Sequence, residues 1–295
     1  MKIYDACIYY DEDILLDLRF NILDRYVDKF IIVESLFTHS GEKKKQNFKI
    51  ENFSRFKNKI EYILLKDNPK NIYEIKKEDT QNLSKKIDNA NSREIYQRNA
   101  IAKGLNQIND NDWLIISDVD EIPNLENLNL AEIKNKIILF NQLFCCYKFN
   151  LFTKTINWYG SRMIRKKDLK NPQWLRDIKS KKYPIFRVDI LFSKKKYRDI
   201  FFVDNGGWHF SYLKDAKGVK EKLKSIRHHV DYELNPVSTE KLETMIKDKK
   251  LVYNYKIDQR SEDKFSDNEV LESLDFSRLP RYLLENKNKY LQWLN

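Results

Sequence analysis

The chain has 295 residues and a formal net charge of +11, with 41% hydrophobic and 13% aromatic residues. This composition excludes a disordered protein, because disorder requires a deficit of apolar side chains. Its three cysteines exclude a disulfide framework and a CxxC zinc site, and no apolar run is long enough to span a membrane. The positive charge favours acidic partners without choosing among nucleotides, anionic glycans, lipid head groups and nucleic acid.

The first half of the chain alternates between strand and helix patterns. An apolar stripe over Ile14, Leu18 and Ile22 predicts an amphipathic helix, and the continuous apolar run 30–33 predicts a strand buried on both faces. Strands are predicted at 2–10, 30–34, 60–65 and 112–117, and helices at 14–26 and 92–107. The charged stretch 66–91 shows no clear period. This alternation predicts an open, mostly parallel α/β sheet.

The second half is less regular. Strands are predicted at 137–151 and 158–165, and Asn205-Gly206-Gly207 breaks the chain before an aromatic strand at 208–212. The pattern turns helical after Asp215, and an amphipathic helix is predicted from about Pro280. These features predict a helical C-terminal region.

Carboxylates follow two of the predicted strands, Glu34 after the second and Asp118 with Asp120 after the fourth. Ligands bind beyond the carboxyl ends of strands in such sheets. On an extended segment Asp118 and Asp120 point to the same side, an arrangement that suits Mg²⁺ or Mn²⁺ bridging to a diphosphate. The structural alternative has equal weight, because acidic residues also end strands and cap helices.

The aromatic strand places Trp208, Phe210 and Tyr212 on one face and His209 with Ser211 on the other. His209 is a candidate to complete a metal shell or contact a phosphate. The alternative is a hydrogen-bonded core histidine. The two preceding glycines permit a close backbone approach and favour the functional interpretation.

The helix predicted at 92–107 carries Arg98 on its apolar stripe, where a guanidinium must be paired. Three partners are open to it: Glu94 one turn earlier, a carboxylate at the end of a strand, or a substrate phosphate. Arg93 and Gln97 share an adjacent face. Arg98 is therefore expected near the site, with either a carboxylate or the ligand.

Two other charged features have a structural interpretation. His228-His229 is predicted to be a solvated helix end, because adjacent histidines diverge. The lysine runs 43–45 and 194–196 are predicted to be solvated faces, with attraction of an anionic acceptor or a membrane surface as the functional alternative. The aromatic residues do not form the repeated pattern of a single-strand nucleic-acid platform.

Several ordered stretches together resemble glycosyltransferase family 17, the family of the bisecting β-1,4-N-acetylglucosaminyltransferases and their microbial relatives. The resemblance covers residues 3 to 230. Its motifs are Tyr4-Asp5-Ala6-Cys7 through Asp17-Leu18-Arg19, 27–35 with Thr38 and Gly41, 93–104, 116–123, and Gly207-Trp208-His209-Phe210-Ser211-Tyr212.

The resemblance implies a GT-A-like α/β fold with a Rossmann-type, mostly parallel central sheet flanked by helices. We expect this domain at 1–230 and a helical C-terminal extension packed on it at 231–295. The implied activity is an inverting, metal-dependent transfer of a sugar, such as N-acetylglucosamine, from a UDP-sugar to a glycan or lipid-linked glycan. The chain departs from relatives in its Lys-rich loop after Gly41. Without a membrane anchor, we expect a cytoplasmic enzyme with peripheral membrane contact and no nucleic-acid partner.

The predicted roles combine both lines of reasoning. Asp118 and Asp120 hold Mn²⁺ or Mg²⁺ with His209 as a further ligand, while donor binding involves Glu34 beside the nucleoside and Arg93, Arg98 and Trp208. The base candidates are Asp204, which precedes the Gly-Gly-Trp-His segment and is preferred, Glu121 and Asp177. The competing functions are a basic nucleic-acid-binding protein, and a metal-dependent phosphohydrolase or nuclease that uses the same acidic cluster.

Overall fold

The computed structural model describes residues 1–76, 80–184, 186–255, 265 and 269–295. Within these residues the strands are β1 (Ile3–Tyr9), β2 (Lys29–Ser35), β3 (Ile60–Leu65), β4 (Trp113–Asp118), β5 (Glu121–Pro123), β6 (Ile137–Phe140), β7 (Gln142–Cys146), β8 (Leu151–Trp158), β9 (Arg162–Arg165), β10 (Ile200–Val203), β11 (Gly207–Ser211) and β12 (Glu272–Ser273). The α-helices are α1 (Asp13–Leu23), α2 (Asn82–Asn99), α3 (Pro172–Asp177), α4 (Ala216–Ser225), α5 (His229–Leu234), α6 (Thr239–Lys247) and α7 (Arg281–Glu285). Short 3₁₀ segments occur at Ile50–Lys59, Ala100–Leu105, Lys166–Asp168, Val188–Ile190, Phe276–Arg278 and Lys287–Trp293.

The main sheet has the order β10-β6-β9-β4-β1-β2-β3. Strands β1 to β4 are parallel, and β9 runs antiparallel to both of its neighbours. The predicted α/β class with a mostly parallel central sheet is confirmed. Because β2 and β4 lie on opposite sides of β1, the order reverses between β1 and β4, and such switch points form ligand crevices at the carboxyl ends of the strands.

Helices cover both faces of this sheet. Of the predicted apolar stripe of α1, Leu18 is fully buried in the core on one face, and Ile14 and Ile22 are partly buried against it. Leu16 and Phe20, outside that stripe, are also fully buried there. On the other face, Ile101 and Leu105 from the 3₁₀ segment after α2 pack in a second core. Apolar strands such as β2 are therefore buried on both sides, which explains their continuous hydrophobic runs.

A second sheet, in the order β12-β8-β7-β11-β5, packs beside the first and is covered by α4 and α6. The chain passes from the main sheet to this one through the turn between β4 and β5. Gly207 at the start of β11 has φ +124°, and a Cβ there would lie 2.2 Å from the carbonyl oxygen of Ile122. A glycine is therefore required for β11 to approach β5 this closely.

The prediction of one strand over 137–151 is wrong, because β6 and β7 belong to different sheets. Asn141 divides them: its N–H donates to the carbonyl of Val203 (2.9 Å), and its own carbonyl accepts from Gly206 N (2.7 Å). The helix predicted from residue 92 begins ten residues earlier. Its first half is held by Asn89, whose amide bonds both backbone groups of Tyr73, so no apolar period reveals it.

Described residues of the region from 231 onward pack on the rest of the chain. Tyr290 is fully buried against Phe149, and its hydroxyl donates to Asp17 on α1 (3.2 Å). Strand β12 pairs with β8, so the predicted helical region also adds a strand to the second sheet. The division at residue 230 stays a prediction.

Candidate active site

A cavity of about 460 Å³ opens at the carboxyl ends of β1 and β4, where the strand order of the main sheet reverses. Its volume falls in the range of small-molecule sites, about 300–1,000 Å³. Tyr9 ends β1 and Glu12 follows it, Asp118 ends β4 and Asp120 follows it, and His209 comes from β11. Of the ten predicted site residues, Asp118, Asp120 and His209 line this cavity.

The two aspartates are connected by a tight turn, whereas the sequence predicts an extended segment. Asp118 ends β4, and Asp120 lies in the turn before β5. Arg19 of α1 holds this turn from below: its Nη1 donates to the carbonyls of Glu121 (2.7 Å) and Asp118 (3.2 Å). Arg19 is in turn fixed by a fully buried ion pair with Asp5. It therefore positions the Asp-x-Asp turn without reaching the cavity.

Asp118 is held by two guanidinium groups. Arg98 donates to Oδ1 (2.9 Å) and Arg176 to Oδ2 (3.0 Å). Arg98 also donates to Glu94 (2.7 Å), so it uses both carboxylate partners that the sequence predicted. Burial alone would raise the pKa of Asp118, but the charges of Arg176 and Arg98 outweigh it and hold the pKa below its usual value.

Asp120 has different partners. Lys222 Nζ lies 3.0 Å from Oδ2, and His209 Nε2 lies 3.6 Å from Oδ1. Although burial opposes ionisation, Lys222 and then His209 hold the pKa of Asp120 well below its usual range. Asp120 is therefore a fixed negative charge with an ammonium group beside it.

The face assignment of β11 is confirmed at four positions: His209 and Ser211 line the cavity, whereas Trp208 and Phe210 pack in the core. The ring of His209 stacks on Trp158, with 4.4 Å between centroids, and its buried Nδ1 has no hydrogen-bond partner. Trp208 donates its indole N–H to the carbonyl of Arg278 (2.8 Å). Its predicted contact with the donor has no support in this arrangement.

Glu12 and Lys222 line the cavity and were missed by sequence reasoning. Oε2 of Glu12 accepts from the backbone N–H groups of Tyr10 (3.2 Å) and Asp11 (3.1 Å), while Oε1 lies 3.8 Å from Lys222 Nζ. Burial raises the pKa of Glu12, and Lys222 offsets only part of this effect. The signal for Glu12 was its place shortly after β1, comparable to that of Asp120 shortly after β4. Lys222 had no signal among the lysines of α4.

Glu34 and Arg93 lie outside the cavity lining. Glu34 is fully buried and accepts from the backbone N–H groups of Asn47 (2.7 Å) and Phe48 (3.0 Å), the hydroxyl of Tyr62 (2.7 Å) and Lys44. Arg93 donates to Asn68 Oδ1 and the carbonyl of His39. Both side chains hold loops that border the cavity, so any effect on a ligand passes through those loops.

The three base candidates also lie outside the lining. Glu121 is fully buried and bonds Trp158 Nε1 (2.9 Å) and Arg176 Nη1 (2.7 Å). Asp177 pairs with Lys195 (3.3 Å), and Asp204 is exposed in the turn after β10. The structure therefore brings none of them to the cavity.

The prediction of a solvated helix end at His228-His229 is wrong. His229 and Asp231 are buried, and His228 lines the cavity. Packing of α5 against α2 and α4, which a local pattern does not show, removes this segment from solvent.

Comparisons with known proteins were made for the whole sequence. Residues 1–295 match the family model described as Glycosyltransferase family 17. No curated protein matches.

Two solved structures are similar in part to this chain. HddC from Yersinia pseudotuberculosis has 10% identity and a TM-score of 0.33, over 69% of this chain and 89% of that chain. An active-site mutant of LgtC has 13% identity and a TM-score of 0.28, over 69% of this chain and 72% of that chain. No helix among the described residues is long and apolar enough to cross a membrane.

Proposed function

The chain belongs to glycosyltransferase family 17, and we propose that its cavity transfers a sugar from a nucleotide-diphosphate donor to a hydroxyl of a glycan or lipid-linked glycan. One observation carries the proposal: the Asp-x-Asp turn opens into a cavity at the switch point between β1 and β4, with His209 and Lys222 against Asp120. This is where an open α/β sheet binds a nucleotide.

Cations of the cavity suit a diphosphate. Lys44, Lys222 and Arg227 all line it, and Lys222 points between Glu12 and Asp120. Burial alone would lower the pKa of Lys222, but Asp120 and Glu12 keep it above its usual value. Lys222 therefore carries a full positive charge next to the position proposed for the leaving diphosphate, where it stabilises the charge that develops on the oxygens.

A divalent cation fits part of the predicted ligand set. Asp120 and His209 present an oxygen and a nitrogen 3.6 Å apart, and Mg²⁺ needs only one or two protein carboxylates beside phosphate oxygens. Both oxygens of Asp118 are held by guanidinium groups, so Asp120 and His209 would hold the ion. No group of three metal-ligating side chains converges within the described part of the chain. A bound ion would stabilise the charge on the leaving diphosphate.

Glu12 is the proposed base in place of Asp204. It lines the cavity near Asp120 and Lys222, and its pKa is raised by burial, as suits a group that takes up a proton. The acceptor oxygen bonds to the anomeric carbon while the bond from that carbon to the diphosphate oxygen breaks. The hydroxyl proton passes to Oε1 of Glu12, and the diphosphate leaves with the electron pair. Attack opposite the leaving group inverts the anomeric carbon.

The resemblance supports the finer specificity of the proposal. Its motifs at 116–123 and 207–212 resemble the pattern of a family that includes N-acetylglucosaminyltransferases, so UDP-N-acetylglucosamine is the first donor to test. The motif at 207–212 spans His209, and that at 116–123 spans both aspartates of the turn. A lipid-linked acceptor would bring the chain to a membrane surface.

The test combines binding and turnover. The full chain is melted with nucleoside diphosphates and nucleotide sugars, with and without Mn²⁺, because a ligand at 100 times its Kd adds about 2.7 kcal/mol of stability. We expect a UDP-sugar with Mn²⁺ to raise the Tm most. Asp120→Asn should lose this shift and lower sugar transfer about 100-fold or more.

The control is Glu126→Gln, which neutralises an exposed carboxylate that pairs with the exposed Arg25. It should keep both the Tm shift and the turnover. Full metal-dependent turnover by Asp120→Asn would overturn the proposal. Cleavage within the diphosphate, which releases UMP and a sugar phosphate with no product on any acceptor, would instead assign a phosphohydrolase.

A further inference from the structure

A projecting segment between α3 and β10 has large apolar side chains in solvent. Phe186, Val188, Leu191 and Phe192 are 82%, 61%, 72% and 85% exposed. We call residues 186–192 the tip. Exposed apolar side chains concentrated in one place on a folded protein mark an interaction surface.

The tip has a defined backbone. Leu191 N donates to the carbonyl of Val188 (3.0 Å), and Ser193 N donates to that of Ile190 (3.1 Å). Ile190 is buried at its base. The hydrogen bonds of this turn therefore hold the four apolar side chains outward while Ile190 anchors them.

Positive charge surrounds the tip. Between residues 179 and 199 the sequence has eight lysines and arginines against two aspartates, which leaves six of the chain's +11 charges in 21 residues. Lys181, Lys182 and Lys194 are exposed next to it. Asp189, by contrast, is compensated by Arg187 (2.7 Å) and Lys196 (2.9 Å). The surroundings of the tip thus have a strong positive excess.

We propose that the tip docks the protein on an anionic lipid bilayer, with Phe186, Leu191 and Phe192 entering the interface and the flanking lysines contacting lipid phosphates. Reversible membrane binding needs two signals, apolar insertion and basic attraction, and both are present here. A second copy of the chain would bring an equally positive tip and be repelled. A nucleic acid does not account for the exposed Val188 and Leu191, because aliphatic side chains do not stack on bases.

The docking surface is connected to the cavity by α3. Trp174 donates its indole N–H to the carbonyl of Lys194 (3.1 Å) and contacts Tyr197, at the base of the tip. Two residues later, Arg176 holds Asp118 at the cavity. One short helix therefore links both surfaces. The proposal itself rests on the tip alone and does not depend on the chemistry of the cavity.

The test is sedimentation of the full chain with vesicles of phosphatidylcholine, alone or with phosphatidylglycerol. We expect binding only with phosphatidylglycerol, weakened by added salt because exposed charges are screened. Phe186→Ser combined with Phe192→Ser should weaken binding about tenfold or more, since the apolar signal is lost. Lys181→Glu with Lys194→Glu should also weaken it. The control for the apolar variant is Leu291→Ser, which changes a 56% exposed leucine outside the tip. The control for the charge variant is Lys43→Glu with Lys45→Glu, which changes two exposed lysines elsewhere on the surface.

Each result decides the proposal. Equal binding to neutral and anionic vesicles, or no binding to either, would overturn it. So would unchanged binding by the double phenylalanine variant, or a loss of binding in the controls as large as in the tip variants. A dimer in solution that Phe186→Ser with Phe192→Ser abolishes would assign the tip to protein contact instead. The Tm of each variant verifies that it is folded.

Discussion

The cavity and the surroundings of the tip differ in how their charged side chains are paired. At the cavity, Asp118, Asp120 and Arg98 are each paired within 3.0 Å, in surroundings where an unpaired charge would be costly. Next to the tip, Lys181, Lys182 and Lys194 are exposed. Positive charge is compensated at the cavity and left in excess around the tip.

The difference shows how a net charge should be interpreted. The +11 of the sequence says little about the candidate site, where oppositely charged groups nearly balance. The net charge describes the exposed surface instead. Six of the eleven excess positive charges lie in residues 179–199, around the tip. A basic composition is thus an argument about where the protein is attracted, while its chemistry depends on individual pairs.

The largest effect that separates the two regions is expected for Glu12→Gln. A base acts only when ionised, so the rate falls as the pH falls through its pKa, and burial raises the pKa of Glu12. On the acid side, kcat/KM should therefore begin to fall at a higher pH than it would for an ordinary glutamate. Glu12→Gln should remove this acid limb and lower kcat about 10²–10⁴-fold, while vesicle binding stays unchanged. The measurement is the pH profile of transfer.

Asp204→Asn is the competing variant. Asp204 is exposed and outside the cavity lining, although the sequence favoured it as the base. A larger loss of turnover in Asp204→Asn than in Glu12→Gln, or an acid limb that persists in Glu12→Gln, would reverse the assignment.

The next effect is on stability. Arg98→Met removes a guanidinium that is 3% exposed and bonds Glu94 and Asp118. In this variant Glu94 still pairs with Arg227, and Asp118 still pairs with Arg176. We therefore expect the free energy of unfolding to fall by about 3 kcal/mol, the low end for a broken buried ion pair. Arg227→Met is the matched control: it also pairs with Glu94 but is 44% exposed, so about 0–1 kcal/mol is expected. Urea unfolding measures both, and equal losses would contradict the contrast.

The smallest effect is expected at the tip. Because Phe186 and Phe192 are exposed, changing both to serine should alter the free energy of unfolding by less than about 0.5 kcal/mol. Phe149→Ala, in the core, should cost about 3–5 kcal/mol. Thermal or urea unfolding compares the two. A large loss for the tip variant would show that these side chains pack within the chain.

Much of the fold and half of the site pattern followed from local sequence. β2 and β4 were predictable because strands buried on both faces are continuously apolar, and Asp118, Asp120 and His209 because strand ends and alternation place them at the cavity. Arg98 was predictable because a charge on an apolar stripe needs a partner.

The remainder depends on contacts between distant residues. The split of β6 from β7 is set by bonds of Asn141 to residues over 60 positions away. Lys222 reaches Asp120 because α4 packs over the second sheet, and its spacing does not distinguish it from other lysines of α4. Next to the tip, the sequence analysis interpreted only the lysine run 194–196, since exposure of Phe186 and Phe192 depends on what the rest of the chain covers.

The buried carboxylate of Glu34 has a consequence for motion. Asn47 and Phe48 lie outside any strand or helix, but their N–H groups donate to a fully buried side chain at the carboxyl end of β2, next to the edge strand β3. These two amides open to solvent only when this end of the sheet opens. Their hydrogen exchange should therefore be as slow as that of the end of β2, so the loop that continues from Lys44 in the cavity lining belongs to the rigid body against which a donor is held.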